Sequence, residues 1–363
     1  MVQVDTDSGS KLVSVIIPVY GAERYIADTL RSLLNQTYRH FEALIIDDGC
    51  RDRSIEICQQ FTDSRIRIIH QENRGLAGAR NCGIRHAQGD YIAFLDADDL
   101  WLPDKLAQHV QHLEQHPQVG VSFSYSQFID EAGNPNGIYQ IPSRITQITP
   151  AYALCRNPVG NGSAAVIRRA VLDEICFTDD RWGVPEKCYF DEAFQRAEDL
   201  ECWTRIATHT AWETAGIPEA LTLYRVSTGG LSASARLQYE AIERVIDKCC
   251  NSAPLVLGAY RNLARAYYMR YTARRAVTLR DADLAMEMMN LALLTDWRIL
   301  IHEPRRTLMT IAAVYCLALI PPSLYQSLEQ FALQATGKSQ RGRLRDGGAA
   351  NEAIEKTSSV LIS

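Results

Sequence analysis

Residues 91 to 99 read Tyr91-Ile92-Ala93-Phe94-Leu95-Asp96-Ala97-Asp98-Asp99, so an apolar, strand-like segment ends in three carboxylates within four positions. Ionised carboxylates this close repel one another unless a cation lies among them, and hard oxygen ligands suit Mg2+ or Mn2+. The alternative is a solvated loop that caps a helix beginning near Pro103, because Asp favours turns and N-caps. One Asp would suffice for that role. The pattern therefore predicts a divalent-cation site that keeps positions free for phosphate oxygens.

Length and composition describe a globular chain without a strong overall field. The chain has 363 residues, which corresponds to about two domains. Its net charge of -5 is small, so we do not expect nucleic acid as a partner. The N-terminal decapeptide lacks the basic and apolar regions of a signal peptide, which predicts a cytoplasmic protein. The ten cysteines include no Cys-x-x-Cys pair and are interpreted as reduced thiols.

The first half alternates strand-like and helix-like segments. Strands are predicted at 13–19, 41–46, 66–69 and 91–95, and helices at 22–34, 54–61 and 77–87. This rhythm predicts right-handed βαβ units and an α/β fold with a mostly parallel central sheet flanked by helices. Ligands of such sheets gather at the carboxyl ends of the strands. The strand ends at 18–20, 47–49 and 96–99 should therefore converge on one crevice.

The side chains at these strand ends suit a nucleoside diphosphate. Asp48 can accept a hydrogen bond from a base, the Tyr20 ring offers a packing face, and a metal ion on Asp98 can neutralise a diphosphate. The first strand is not followed by Gly-x-Gly-x-x-Gly, and the chain has no Walker A sequence. Gly75 and Gly78 are interpreted as a turn and a close-packing position.

The segment from residue 13 to about 123 resembles the nucleotide-sugar domain of family 2 glycosyltransferases, which have the Rossmann-like GT-A fold. The matching stretches are VSVIIPVYGAERYIADTLRSLLNQTY, IIDDGCRD, NRGLAGARNCGI and GDYIAFLDADDLWLPDKL, the last of which contains the DXD motif. Carried over position by position, the resemblance implies these donor-site residues: Pro18 and Tyr20 beside the base, Asp48 in contact with it, Arg80 near the base or diphosphate, Asp96 near the ribose and diphosphate, and Asp98 on the metal ion. Cys50 stands where the family usually has Ser, a small-for-small exchange.

A second acidic cluster lies between residues 191 and 201. On the helix predicted there, Asp199 and Trp203 are one turn apart, so Asp199 lies at the core-facing N-terminus. By resemblance to the family's Glu-Asp pair, Asp199 is the base that takes the acceptor's proton and Glu198 is its neighbour. The alternative is that the helix macrodipole simply favours acids at this end. A single base opposite the leaving group implies in-line displacement with inversion.

Several weaker features leave alternatives open. Asn161-Gly162-Ser163 either lines the acceptor side or forms a plain turn, and residues 178–188 are interpreted as an acceptor-side loop. Residues 223–227 resemble the family's late Tyr-Arg segment, but Ser227 or Thr228 occupies the place of a frequent His. Arg225 either meets phosphate or is a surface charge. His109, His112 and His116 share a predicted helix with glutamines, which favours a solvated face over a zinc site.

After residue 234 the pattern becomes helical, with helices predicted at 237–249, 255–277 and 282–294. The apolar segment 308–319 is shorter than the about 20 residues that span a bilayer. It follows Arg305-Arg306, which is typical of an interfacial anchor, while a buried core helix is the alternative. Acceptors of the resembled family are often lipid-linked, which adds weight to peripheral membrane contact.

Together these observations predict an inverting, divalent-metal-dependent glycosyltransferase. The resemblance implies a nucleotide-sugar donor, with UDP as the nucleotide most usual in the family, and a saccharide or lipid-linked acceptor. It also implies a role in cell-surface polysaccharide assembly at the inner face of the plasma membrane. The predicted domains are a disordered N-terminus (1–11), a donor half (12–125), an acceptor half (126–233), a helical region (234–336) and a disordered tail (337–363). The alternative is a non-catalytic nucleotide-sugar-binding or scaffold protein, which the loss of either acidic cluster would favour.

Overall fold

A computed structural model of the chain describes residues 11–226 and 234–321 and the single position Gly342. Apart from Lys11 and Gly342, the two predicted disordered ends lie outside the described residues, as do Ser227 and Thr228. The strands are β1 (Val13–Val19), β2 (Phe41–Asp47), β3 (Ile66–His70), β4 (Tyr91–Phe94), β5 (Leu100–Trp101), β6 (Val119–Ile129), β7 (Pro135–Gln140), β8 (Ala165–Arg168), β9 (Phe177–Asp179), β10 (Glu186–Cys188) and β11 (Glu213–Arg225). The helices are α1 (Ile26–Leu34), α2 (Ser54–Cys58), α3 (Gly75–His86), α4 (Lys105–Gln115), α5 (Pro150–Arg156), α6 (Arg169–Ile175), α7 (Glu198–His209), α8 (Ala235–Ser252), α9 (Pro254–Leu257), α10 (Arg261–Thr278), α11 (Ala282–Thr295), α12 (Ile299–His302) and α13 (Pro304–Leu319).

One large sheet forms the centre of the molecule, with strand order β3-β2-β1-β4-β8-β6-β11-β5 and β7 paired to β6. Strands β3, β2, β1 and β4 are parallel neighbours, as the βαβ rhythm predicts. Strand β8 enters antiparallel between β4 and β6, and β6 then runs parallel to β11. The α/β expectation is confirmed.

Burial on both faces explains the near-continuous apolar strands. Every residue of β1 is buried, which is typical of a parallel strand covered by helices on both sides. Its one polar side chain inside the strand, Ser14, donates a hydrogen bond of 2.6 Å to Glu42. The first helix begins at Ile26 rather than at 22, because residues 22–25 form a turn whose carbonyls accept the first helical N–H groups. The other elements predicted in the first half are shifted by at most a few residues at their ends.

The helical region packs directly on the second half of the sheet domain. One apolar cluster joins Leu154 of α5 and Leu200 of α7 to Ile242 of α8 and Tyr268 of α10. The sequence predicts one helix at 255–277, but the structure divides it into α9, a 3-10 turn at residues 258–260 and α10. Pro254 lies at the first helical position of α9, where its missing N–H costs nothing.

Residues 308–319, for which a buried core helix and an interfacial anchor were the two alternatives, lie in α13. Thr307, Thr310 and Val314 are buried against the neighbouring helices, whereas Leu308 is 58% exposed and Leu319 is 78% exposed. A fully buried core helix is therefore wrong for this segment, and the helix is buried on one side only. Among the helices within 11–226 and 234–321, none is long and apolar enough to cross a membrane.

His109 and His112 of α4 and His116, which directly follows it, do not together form the predicted solvated face. His109 is fully buried, and its ring lies 3.1 Å from the Lys105 ammonium and 2.8 Å from the Ser122 hydroxyl. His112 lies 2.8 Å from the same hydroxyl, and only His116 is exposed. Burial lowers the pKa of His109 well below its usual range and that of His112 to about 4. His109 and His112 therefore bind buried polar groups between α4 and β6.

Candidate active site

A cleft of about 1380 Å³ opens at the carboxyl ends of the parallel strands. One side is formed by the ends of β1, β2 and β4, which the register brings to a common edge. The other side is formed by α5, the start of α7, α10 and α13. Every site residue predicted from the sequence lines this cleft: Pro18, Tyr20, Asp48, Arg80, Asp96, Asp98, Glu198 and Asp199.

Arg80 joins the two predicted acidic clusters. Its side chain leaves α3 and is only 1% exposed. One guanidinium nitrogen donates to Asp96 at 2.9 Å and the other donates to Glu198 at 2.7 Å. These carboxylates raise the pKa of Arg80 further above its usual range, against the effect of burial. A buried guanidinium thus compensates one carboxylate of each cluster, a role that the sequence analysis did not assign to Arg80.

Glycine at position 162 leaves room for this guanidinium. A Cβ at Gly162 would lie 2.2 Å from a guanidinium nitrogen of Arg80. The neighbouring Ser163 hydroxyl accepts a hydrogen bond of 3.0 Å from the backbone N–H of Asp96. The turn expected for this segment is present as a 3-10 turn at Gly162–Ala164, and Asn161 and Gly162 line the cleft.

Glu198 and Asp199 begin α7 and have different partners. Burial raises the pKa of Glu198 to about 7, although the Arg80 charge acts in the opposite direction. Asp199 accepts a 3.0 Å hydrogen bond from the Asn157 side-chain amide and a 2.8 Å bond from the backbone N–H of Leu200. Burial also raises the pKa of Asp199, and the Asn157 hydrogen bond offsets that effect. A carboxylate with a raised pKa that remains accessible from a cleft is suited to proton transfer.

The other acids of the second cluster have structural partners. Asp191 and Glu201 form ion pairs with Lys248 of α8, at 2.8 and 2.6 Å. Glu192 forms an ion pair with Arg74 at 3.1 Å and accepts a hydrogen bond from Asn81. Glu198 and Asp199 are therefore the members of the cluster that combine burial with a raised pKa at the cleft.

Asp48 organises the turn before α3. Its carboxylate accepts hydrogen bonds from the backbone N–H groups of Arg74 and Gly75, at 2.8 and 2.9 Å, and from the Gln71 side chain at 2.6 Å. Gly75 has a φ of +75°, which glycine adopts readily. The carboxylate is thus fixed at the cleft edge and retains acceptor capacity toward a ligand.

The three carboxylates after β4 have three different environments. Asp96 binds Arg80, whereas Asp99 is fully buried and accepts a 2.9 Å hydrogen bond from the backbone N–H of Arg225. Asp99 thus has a structural role that the sequence did not predict. The Asp98 carboxylate accepts no hydrogen bond from another residue in the described part of the chain, and burial and Asp96 raise its pKa to about 6. Asp98 and Asp96 both line the cleft, and of their two carboxylates only that of Asp96 is bound by a side chain of the described residues.

This arrangement fits a divalent cation. Asp98 supplies a hard oxygen donor that accepts no hydrogen bond from another described residue, and Asp96 lies two positions away. Over the described ranges, no three His, Cys, Asp or Glu side chains form a group that could hold a metal ion alone. An ion here would therefore take most of its ligands from phosphate oxygens and water, as the sequence predicts.

Arg225 is not a surface charge, since it is only 4% exposed. Its guanidinium donates to the backbone carbonyls of Asp98 at 2.7 Å, Asp130 at 3.0 Å and Glu131 at 2.8 Å. These bonds hold the loop after β4 against the loop after β6. Arg225 therefore fixes the backbone that presents the Asp98 carboxylate.

Residues 177–188 form the hairpin of β9 and β10. At its tip, the Trp182 indole donates a 2.7 Å hydrogen bond to Glu192 and lies 4.9 Å from the Arg74 guanidinium. Because the backbone of Arg74 binds Asp48, this loop borders the strand end that carries Asp48.

Two contributors to the cleft were missed from the sequence. Asn157 ends α5 in a left-handed conformation and contacts Asp199, and the Asn-Pro pair gave only a helix-end signal. Helix α10 contributes a face whose Tyr and Arg side chains are spaced three or four positions apart, and the helical periodicity of 255–277 alone does not indicate that this face lines a cleft. Its cleft-lining residues are Tyr267, Tyr268, Arg270, Tyr271 and Arg274.

Sequence comparison links this cleft to a large group of transferases. The family model described as "Glycosyl transferase family 2" matches residues 14–176. An Escherichia coli protein, UDP-Glc:alpha-D-GlcNAc-diphosphoundecaprenol beta-1,3-glucosyltransferase WfgD, is 30% identical over 265 residues, which cover 71% of this chain and 90% of the relative. An uncharacterized glycosyltransferase of Haemophilus influenzae is 40% identical over 38% of this chain, a match that spans about half (56%) of that relative.

Solved structures share the fold. Staphylococcus aureus TarS 1-349 superposes with a TM-score of 0.52 at 17% identity, covering 95% of this chain and 91% of TarS 1-349. A Pyrobaculum calidifontis mannosyltransferase, PcManGT, solved with GDP-Man and Mn2+, gives a TM-score of 0.53 at 20% identity and covers 86% and 87% of the two chains. The sheet with its flanking helices is therefore of the GT-A type.

Proposed function

The chain belongs to glycosyltransferase family 2, and from that premise we propose that it transfers a sugar from a nucleoside-diphosphate donor to a hydroxyl group of a saccharide or lipid-linked acceptor. One observation carries the proposal: the strand-end carboxylates and the Glu198–Asp199 pair face one cleft and are joined through Arg80. The name of the WfgD relative, which specifies a UDP-sugar and a diphosphoundecaprenol-linked acceptor, supports UDP as the donor nucleotide and polysaccharide or glycolipid assembly as the setting.

In this proposal the donor lies along the ends of β1, β2 and β4. Tyr20 is 57% exposed, so its ring is available to pack on the base beside Pro18. Asp48, held by Arg74 and Gly75, accepts from the base. Asp96 lies toward the ribose and diphosphate, and Arg80 keeps it in place from beneath rather than reaching the base itself.

Asp98 would hold Mg2+ or Mn2+, with Asp96 close by. A bound divalent ion neutralises the charge that grows on the departing diphosphate. The chain's own contribution is to fix the Asp98 backbone through Arg225 and to leave the carboxylate without a competing partner. Donor and acceptor are then oriented within one cleft, which lowers the entropy cost of reaction.

Asp199 would act as the general base. Its carboxylate takes the proton of the acceptor hydroxyl as that oxygen attacks the anomeric carbon. Asn157 orients the Asp199 carboxylate. Glu198, the residue before Asp199, accepts a hydrogen bond from Arg80. With one base on the side opposite the leaving group, displacement is in line and the anomeric configuration is inverted.

Peripheral membrane contact is part of the proposal. The outward side of α13 exposes Leu308, Met309 and Leu319, and an apolar helix side of this kind suits the interfacial zone of a bilayer. Co-sedimentation with anionic vesicles tests this point. The double change Leu308→Gln, Met309→Gln should reduce binding, and unchanged binding would contradict it.

The activity is tested with purified protein, UDP-glucose, UDP-GlcNAc or GDP-mannose, and a short-chain alkyl diphosphate ester of GlcNAc as acceptor. We expect a disaccharide product with one donor, formed with Mn2+ and suppressed by chelator, and the anomeric configuration read by NMR should be inverted. Product that retains the configuration would contradict the single-base mechanism. Metal-dependent UDP binding without transfer to any acceptor would favour the scaffold alternative.

A further inference from the structure

The side of the cleft formed by the helical region is rich in arginine. Arg156 of α5, Arg270 and Arg274 of α10, and Arg306 of α13 all line it. These four residues are called the arginine wall below. The wall belongs to different elements from those that carry Asp48, Asp96 and Asp98, so it is separate from the proposed donor side.

Three of the four guanidinium groups share one carboxylate. Glu303 pairs with Arg156 at 2.8 Å, with Arg270 at 2.5 Å and with Arg306 at 3.4 Å. Four cations against one carboxylate leave an excess of positive charge, which is costly at a partly desolvated surface. Burial, and after it repulsion from Arg156 and Arg274, lowers the pKa of Arg270.

Arg274 is exposed and lines the cleft. Within the described ranges its guanidinium forms no hydrogen bond or ion pair, and its nearest ring contact is Tyr271 at 5.6 Å. A purely structural ion-pair cluster around Glu303 accounts for Arg156, Arg270 and Arg306 but not for Arg274. A cation placed in a cleft without a carboxylate partner is suited to an anionic ligand.

Tyr268 provides a second, independent indication. Its side chain is 8% exposed and lines the cleft, and its hydroxyl has no hydrogen-bond partner among the described residues. A buried hydroxyl without a partner costs about 1–3 kcal/mol, so a ligand oxygen at this place would recover that cost. Burial raises the pKa of the Tyr268 hydroxyl, and the charge of Asp199 adds a smaller effect in the same direction.

We propose that the arginine wall, with Tyr268, binds the phosphate or diphosphate group through which the acceptor sugar is carried. The inference rests on the proposed function, because it takes Asp199 as the base for the acceptor hydroxyl. Guanidinium groups bind phosphate oxygens in a bidentate manner, and a diphosphate offers enough oxygens for several of them. The acceptor is thus a sugar diphosphate ester, and the wall sets its distance from Asp199.

Calorimetry with the full chain tests this inference. The protein is first titrated with UDP and Mn2+, and then, with UDP and Mn2+ saturating, with the alkyl diphosphate ester of GlcNAc or with the neutral alkyl glycoside of GlcNAc. The variants are Arg274→Gln and, as a matched control, Arg305→Gln. Arg305 is exposed on α13, carries the same charge and does not line the cleft.

We expect the wild-type protein to bind the diphosphate ester about 10-fold or more tightly than the neutral glycoside, as suits charge-assisted hydrogen bonds. Arg274→Gln should remove about 10-fold of that preference and leave UDP and the neutral glycoside unchanged. Arg305→Gln should behave as wild type. Equal binding of the two ligands by the wild type, or an unchanged preference in Arg274→Gln, would overturn the inference.

Vesicle binding distinguishes the two possible sources of the phosphate that the arginine wall binds, the acceptor diphosphate and a lipid headgroup. If Arg274→Gln releases the protein from phosphatidylglycerol vesicles but binds the soluble diphosphate ester as wild type does, the wall recognises headgroups and the inference fails. The diphosphate ester is titrated whether or not UDP binds. Loss of UDP binding in the wild type therefore contradicts the proposed function alone, and loss of the diphosphate preference contradicts this inference alone.

Discussion

Arg80 donates a 2.7 Å hydrogen bond to Glu198 and thereby connects helix α3 of the donor half to helix α7, which carries Asp199. Its second guanidinium nitrogen binds Asp96 at 2.9 Å. The two acidic clusters of the sequence thus share one buried cation, and the stability of the cleft depends on it.

Replacing this cation should destabilise the protein. Arg80→Ala leaves the buried Glu198 carboxylate without its counter-charge, so we expect the free energy of unfolding in urea to fall by about 3–5 kcal/mol. The control is Arg85→Ala on the same helix, whose partly exposed ion pair with Glu186 at 3.3 Å should be worth about 1 kcal/mol or less. Equal losses in the two variants would contradict the bridging role.

Gly162→Ala should displace Arg80 without removing it. The added Cβ would meet a guanidinium nitrogen at 2.2 Å, so Arg80 must shift, and we expect transfer activity to fall by about 10-fold or more because a displacement near 1 Å can cost that much. The matched control is Gly258→Ala, where the new Cβ has open space and the backbone is helical. Activity retained in Gly162→Ala would show that the position of Arg80 does not matter.

Asn157→Gly should move the acidic limb of the pH–rate profile to higher pH. The Asn157 amide donates to Asp199 and lowers the pKa of that carboxyl against the effect of burial. Without the amide the pKa rises, and a base that must be ionised becomes active only at higher pH. We expect a shift of up to about one unit in kcat/KM, with the rate recovering at alkaline pH. Glycine tolerates the left-handed backbone at this position, so the substitution should not strain the chain. An acidic limb at the same pH as in wild type would show that the hydrogen bond does not set the pKa of Asp199.

Asp99→Asn separates the structural carboxylate from the proposed metal ligand. Asp99 is buried and accepts from the backbone N–H of Arg225, a bond that the Asn carbonyl can replace. We expect Asp99→Asn to keep metal-dependent UDP binding within about 3-fold of wild type, which corresponds to less than about 1 kcal/mol. A complete loss of that binding, with the fold intact by circular dichroism, would place Asp99 among the metal ligands.

The donor half could be predicted closely because its signals are local. Strands such as β1 are apolar throughout, since both faces of a parallel sheet are covered. Parallel pairing then brings the carboxyl ends together, so that Asp48 and Asp98 had to face one crevice. This much follows from periodicity and sheet topology, and the family resemblance added the roles.

The remaining features depend on long-range packing that a single sequence does not encode locally. The acidic run at 191–201 gave no indication that Lys248 neutralises Asp191 and Glu201 while Arg80 pairs with Glu198. The histidines of α4 were misread because the glutamines between them look solvated, whereas β6 covers His109 through Ser122.

Melting temperature with UDP, in Mn2+ or in chelator, tests the central claim most directly when wild type, Asp98→Ala and Asp199→Asn are compared. A ligand that binds only the folded state raises the melting temperature by mass action. If Asp98 holds the metal ion and Asp199 is the base, the melting temperature should rise with UDP and Mn2+ in wild type and in Asp199→Asn, and should not rise in Asp98→Ala. Asp199→Asn should nevertheless make no product. No rise in wild type with UDP, or equal loss in the two variants, would contradict it.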